Sequence, residues 1–176
     1  MEQRQVKYPL GSLSSVEAKS FGEPGNRTFH LVLEAGQAHC TLWLEKELLF
    51  QLGLRIQAEI QQLPSEERER PSRPVEGEWS DRPLSLDFKA GQMSLSYSAE
   101  NNSFELAAYE SEDDESSEDA SSVSFWIPTD QAAVLAEEAL RICAAGRPRC
   151  FLCGLPMNPE GHVCPRSNGH VVFEVD

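Results

Sequence analysis

TFHLVLEAGQAHCTLWLEKELLFQLGLRIQAEIQQL, residues 28–63, carries two periodicities in one run. Up to Leu44 the apolar side chains alternate. Phe29, Leu31 and Leu33 share one strand face; after the break, Cys40, Leu42 and Leu44 share another, with Trp43 pointing the opposite way. The intervening EAGQA (34–38) is a hairpin signal. From Glu45 onward the period becomes helical: Leu49, Leu52, Ile56, Ile60 and Leu63 form one apolar stripe. Gly53 costs such a helix about 1 kcal/mol against Ala, which predicts close packing against a neighbour.

The pattern extends in both directions. Upstream, SVEAKSF leads into EPGN (23–26), where Pro24 presets φ and Gly25 supplies the positive φ of a type II turn. Downstream, PSEERERPSRPVEGEWSDRP (64–83) is rich in proline and charge and reads as a linker that Trp79 pins down. LSLDFKAGQMSLSYSAENNSFELAAYE (84–110) reads as two or three strands with turns at AGQ and ENN. VSFWIP is a further strand. TDQAAVLAEEALRICAAG is a helix that Thr129 or Asp130 caps, that buries Leu135, Ala136, Ala139, Leu140 and Cys143, and that Gly146 ends.

The halves resemble one another. TLWLEKELLFQLGLRI and SFWIPTDQAAVLAEEALRI both run strand, Trp, polar helix start, amphipathic helix, Arg-Ile. The expectation is an α+β domain over residues 1–146: an antiparallel sheet with two helices, arranged as a duplicated βββα unit. Residues 64–83 and 110–121 form loops or linkers, and a small zinc-knuckle tail spans 147–176.

With 176 residues, 40% of them hydrophobic, the chain is long enough for a real core. No apolar run reaches the roughly 20 residues of a membrane span, and the N-terminus has no signal-peptide h-region. A cytoplasmic protein without a membrane partner is expected. The net charge of −14 disfavours nucleic acid, whose phosphates demand Lys and Arg. Seven of the acids crowd into ESEDDESSED (110–119), a solvated loop, and the remainder is still acidic. Cys40 and Cys143 sit among apolar neighbours and read as buried thiols. An odd number of cysteines, five, unevenly spread, argues against a secreted disulfide framework.

The other three cysteines fall in GRPRCFLCGLPMNPEGHVCPRSNGH (146–170). Cys150 and Cys153 form C-x-x-C, a spacing that lets two thiolates share one metal while backbone amides turn toward the sulfurs. Cys164 supplies a third ligand, and His162 or His170 the fourth. A Cys₃His set suits tetrahedral, structural Zn²⁺. His162 is preferred because side chains two apart on an extended stretch face the same way. The motif follows a helix and enters a Pro/Gly loop, which is not the βαβ setting of a redox pair. His30 and His39 fall in strands and read as ordinary surface or core histidines.

FGEPGNRTF, LEKELL and RPRCFLCGLPMNPEGHVCPRSNG, in this order and spacing, resemble a bacterial family known only as domain of unknown function three-thousand-and-ninety. The resemblance runs from about Phe21 to Asn168. The family tail reads C-x-x-C-G…G-H-x-C-P-R-x-N-G and then an aromatic residue; here His170 stands at that last position, which favours His162 as the ligand. The resemblance implies no established activity. It implies gene neighbours of phosphatase-like and kinase-like type, hence possible partners of those kinds.

Outside the tail, Glu23, Arg27, Glu45 and Lys46 are the candidates for ligand binding. Arg27 follows a tight turn, where a guanidinium could grip a phosphate or carboxylate bidentately; alternatively it pairs with Glu23 or Glu45. No phosphate-binding glycine loop and no nucleophile elbow is present, so no catalytic residue is assigned and enzymatic activity stays open. The reading that results is a non-enzymatic binding or adaptor module with a structural zinc knuckle and a protein partner. The alternative is a small enzyme or phosphometabolite-binding protein using Arg27 and nearby carboxylates.

Overall fold

The structure, a computed structural model, describes residues 5–23, 26–73, 75, 79, 82–111, 120–144, 150, 152, 153 and 164. The centre of the expected type II turn, Pro24 and Gly25, lies outside them.

Among the described residues seven strands and three helices follow in the order β1 (Tyr8–Ser12), β2 (Ser15–Phe21), β3 (Thr28–Ala35), β4 (Ala38–Leu44), α1 (Lys46–Gln62), α2 (Ser65–Glu69), β5 (Leu84–Ser98), β6 (Ser103–Glu110), β7 (Ser122–Pro128) and α3 (Thr129–Ala144). The α+β class and the double βββα order are both present, as β2-β3-β4-α1 and β5-β6-β7-α3. The sheet is mixed, not wholly antiparallel as expected from the sequence: in the order β1-β7-β6-β5-β4-β3-β2, β4 runs parallel to β5 and β1 parallel to β7.

Two bent strands explain the mixture. β5 is 15 residues long. Its first half pairs in parallel with β4, from Ala38↔Leu84 to Trp43↔Lys89. Its second half pairs antiparallel with β6, from Ala90↔Glu110 to Ser98↔Ser103. The handover falls at Gly91, where the register shifts. A Cβ on Gly91 would lie 2.8 Å from Ser111 Cα, so only glycine admits this approach. The AGQ at 90–92 is therefore a bulge inside a strand and not the turn expected there. β1 and β2 repeat the device. β1 pairs in parallel with β7, β2 antiparallel with β3. At the two-residue corner between them, Leu13 N donates to Trp126 O and Ser14 N to Glu34 O. Each unit thus begins with a bent strand whose first half joins the last strand of the other unit, and the two ends of the strand order meet.

The inner face carries the core: Leu31, Leu33, Leu42, Phe104, Leu106, Phe125 and Ile127 are all fully buried. Each such side chain contributes about 1.5–3 kcal/mol relative to exposure. α1 buries Leu49, Leu52, Gly53 and Ile56 and packs on β5; α3 buries Ala132, Leu135, Ala136, Ala139, Ile142 and Cys143 and packs on β2. The helices pack on each other at Gly53, as its cost predicted: a Cβ there would lie 3.0 Å from Leu140 Cγ and 3.3 Å from Ala136 O. Leu63, before Pro64, is extended at φ −70° and ψ 139°, and α1 ends there because proline disfavours the helical region for its predecessor.

The linker is pinned at two points. Gln37 N donates to Trp79 O and Trp79 Nε1 to Arg82 O, holding it to the β3–β4 hairpin. At the other end of the sheet, buried Asn102 in the β5–β6 turn takes φ 49° and donates through Nδ2 to Arg70 O at 2.6 Å. Its main-chain oxygen accepts from Ser72 Oγ at 2.7 Å. Thr129 begins α3, but its hydroxyl turns sideways to Asn102.

Candidate metal centre

α3 runs antiparallel to α1 and delivers the chain to the start of that helix, where Cys143 Sγ lies 3.8 Å from Lys46 O. Seven residues later comes Cys150. The Sγ atoms of Cys150, Cys153 and Cys164 all lie within 4.8 Å of one another; Cys150 and Cys164 are buried, Cys153 half-buried. All five cysteines of the chain are free thiols.

Two observations test whether a metal fits. Cys150 Sγ and Cys164 Sγ are 3.8 Å apart. A tetrahedral ion with metal–sulfur bonds of about 2.3 Å needs sulfurs about 3.8 Å apart. The second is electrostatic. The backbone N–H groups of Cys153 and, next, Leu152 point at Cys150 Sγ and hold its pKa below the ordinary thiol value, against the opposing effect of burial. Neighbouring thiols add to the lowering. The amides of the C-x-x-C turn thus favour the thiolate, the form that ligates metal. Three sulfurs leave a fourth tetrahedral position. His162 and His170, the two sequence candidates for it, lie outside the described residues.

The other candidates lie around the start of β3, where Phe29 pairs with Leu44 and Phe21 with Thr28. Glu23 is exposed, and its carbonyl accepts from Asn26 N. Arg27 is half-buried beside the start of β3, with Nε buried and without a hydrogen-bond partner. Glu45 is the residue before α1, and its carboxylate meets Lys89 Nζ at 2.6 Å. Lys46 is the first residue of α1. Lys89 was not legible as a partner, because the parallel β4–β5 pairing that brings it to Glu45 leaves no local sequence signal.

Cys40 and Cys143 are buried as expected. Burial, then Asp87, pushes the Cys40 thiol up to about 12. His30 and His39 lie in β3 and β4. The His30 ring sits 4.7 Å from that of Trp43, whose Nε1 donates to Asp87 Oδ1 at 2.8 Å. Among the described residues no helix is long and apolar enough to cross a membrane.

A mixed α+β sheet followed by a cluster of three thiols that could hold a metal ion is the class of protein that emerges. The chain belongs to the family described as Protein of unknown function (DUF3090), whose model matches residues 8–164, from the first residue of β1 to the third cysteine. Neither the curated proteins nor the solved structures contain a match to it.

Proposed function

We propose that the chain is a binding module stapled by one structural zinc ion, held by Cys150, Cys153, Cys164 and His162, and that it acts by docking a protein partner. The three convergent thiols carry this reading. A bound zinc cross-links the tail, and a complete Cys₃His set keeps no open position for chemistry. Free thiols accord with a reducing, cytoplasmic setting, and the net charge of −14 with a protein partner over nucleic acid. Partners of phosphatase-like or kinase-like type are the first to examine.

Elemental analysis of the purified full chain is the test. One zinc per chain is expected, retained in His170→Ala and lost in His162→Ala and in each Cys→Ser variant. A well-folded wild type without metal would sink the reading.

The unpartnered, buried Nε of Arg27 favours a second reading, a phosphometabolite site using Arg27 with Glu23, Glu45 and Lys46. A thermal shift with sugar phosphates or nucleotides, lost in Arg27→Ala, would support it. Silence across such a panel removes it.

A further inference from the structure

The two halves place their tryptophans in equivalent positions. Trp43 is next to last in β4 and pairs with Lys89 in the first half of β5; Trp126 lies near the end of β7 and pairs with Ser12 in β1. Their surroundings differ. Asp87, two residues before Lys89, gives the Trp43 indole a carboxylate at 2.8 Å. In the second half the residues before Ser12 are Pro9, Leu10 and Gly11, and none of them is acidic. Among the described residues no hydrogen bond reaches Trp126 Nε1.

Beside Trp126 there is a cleft of about 160 Å³, bordered by Leu13, Trp126, Ile127 and Pro128 and by the polar residues Ser12, Ser72, Ser103 and Arg73. It opens where β1 bulges: Tyr8 and Pro9 pair with Val123 and Ser124, but an extra residue makes Ser12 face Trp126, with Gly11 at φ 75° taking up the bend. The far wall is the linker that Asn102 holds.

Three arginines lie between residues 68 and 73, and two are engaged. Arg68 Nε caps Leu63 O at 3.0 Å, and Arg70 donates to Ala99 O. Arg73 is fixed through its main chain, with N donating to Asn101 O at 2.9 Å. Arg73 borders the cleft, and its guanidinium makes no hydrogen bond or ion pair among the described residues. Ser72 and Ser103 spend their hydroxyl protons on Asn102 O and Asn101 O. Glu105, opposite Trp126 on β6, is engaged in another contact. Among the described residues the cleft's donors without a hydrogen bond are the Arg73 guanidinium, the Trp126 indole N–H and the Ser12 hydroxyl, beside the apolar surface of Trp126 and Pro128.

We propose that this cleft binds a small carboxylate-bearing molecule with a flat apolar body. Its carboxylate bridges Arg73 and Trp126 Nε1, as Asp87 serves Trp43 in the other half, and its body lies against Pro128 and the Trp126 ring. The volume fits: a cavity on the order of 150 Å³ accommodates a benzene ring. A guanidinium supplies the charge-assisted bond that selects carboxylate over a neutral isostere. The site is separate from the metal centre. It adjoins the start of α3, whereas the cysteines follow the end of that helix, about 24 Å away at 1.5 Å per residue.

Benzoate titrated into the full-length protein, followed by calorimetry and thermal shift, tests the proposal, with benzamide and inorganic phosphate as controls. The expected result is saturable benzoate binding about tenfold tighter than benzamide, the weight of a charge-assisted bond. Arg73→Gln should erase that preference, and Trp126→Phe, which keeps a ring but loses the N–H, should weaken benzoate several-fold. Arg73 is exposed, so Arg73→Gln should melt like the wild type without ligand, which separates lost binding from lost folding. Benzamide matching benzoate, phosphate reproducing the shift, benzoate affinity surviving Arg73→Gln, or no binding at all would each overturn it.

Discussion

Thr129 Oγ1 lies 2.8 Å from the main-chain oxygen of Asn102 and 2.9 Å from its Oδ1, so one hydroxyl proton serves both acceptors. Thr129 N and Ser72 Oγ also donate to that main-chain oxygen, and Tyr97 OH donates to Oδ1 at 2.8 Å. One buried side chain thereby ties the β5–β6 turn, the linker and the start of α3 together. Asn102→Ala strips the partners from Tyr97 OH and Arg70 O and forces an alanine into φ 49°. A loss of about 3 kcal/mol is expected from the unsatisfied groups and the backbone strain. Urea unfolding measures it. Asn102→Gly, which relieves only the strain, should recover the smaller part.

Gly53→Ala opposes two effects. Helix propensity favours alanine by about 1 kcal/mol. The new methyl would lie 3.0 Å from Leu140 Cγ and 3.3 Å from Ala136 O, and the second of these is backbone that cannot turn aside. The clash prevails, with a net destabilisation of about 1 kcal/mol. Chemical denaturation checks the sign. A gain in stability would show that the helix pair opens freely at this point.

Thiol chemistry separates the five cysteines into two groups. Burial and Asp87 push Cys40 up to about 12, and Cys143 is enclosed between α1 and α3. In protein stripped of metal, titration near pH 8 with a colorimetric disulfide reagent should modify Cys150, whose thiolate the turn amides favour, well ahead of Cys40, which stays untouched until denaturant is added. Equal rates at Cys150 and Cys40 would contradict the opposite environments of the two thiols.

His30 makes stability depend on pH. Burial, then Lys19 on β2, lowers its pKa below the ordinary 6.5, while Asp87 on β5 opposes. The unfolded chain therefore takes up this proton more readily than the folded one. The stabilisation is full above pH 6.5 and falls as pH drops below it, until the folded-state pKa is also passed. Melting temperatures from pH 7.5 to 5 should fall more steeply for the wild type than for His30→Gln. Parallel curves would assign the acid sensitivity to other groups.

The two AGQ triplets show where sequence reading succeeds and where it stops. Ala35-Gly36-Gln37 is a hairpin turn, with Gly36 at φ 56°; Ala90-Gly91-Gln92 is a bulge within one continuous strand. Local chemistry is the same in both. The outcome is decided by Ser111, twenty residues on, which seals the bulge by donating to Lys89 O. Parallel pairing is equally invisible, because β4 and β5 meet across a linker that carries no register information. Alternation and helical spacing are local properties, so β2, β3, β4, β6, β7, α1, α3 and the doubled βββα order were legible, whereas β1 and the continuity of β5 were not. The thiol cluster was legible too, since C-x-x-C fixes its own geometry. The Asn102 hub was not: its partners come from β5, the linker and α3, and only the fold assembles them.

The corner at Leu13 and Ser14 has a consequence for the order of events during synthesis. Lys7 N donates to Ser122 Oγ, 115 positions away, so β1 is made long before its partner strand and is among the last segments to be seated. At about 10 residues per second, β1 waits on the order of ten seconds for β7 to emerge, while β2 and β3 have already paired beside it. Throughout that interval an apolar strand stands ready next to a finished hairpin. A neighbouring nascent copy presents the same vacancy at β7, and exchange of the two N-terminal strands between copies is the misassembly this topology favours when the protein is made at high concentration.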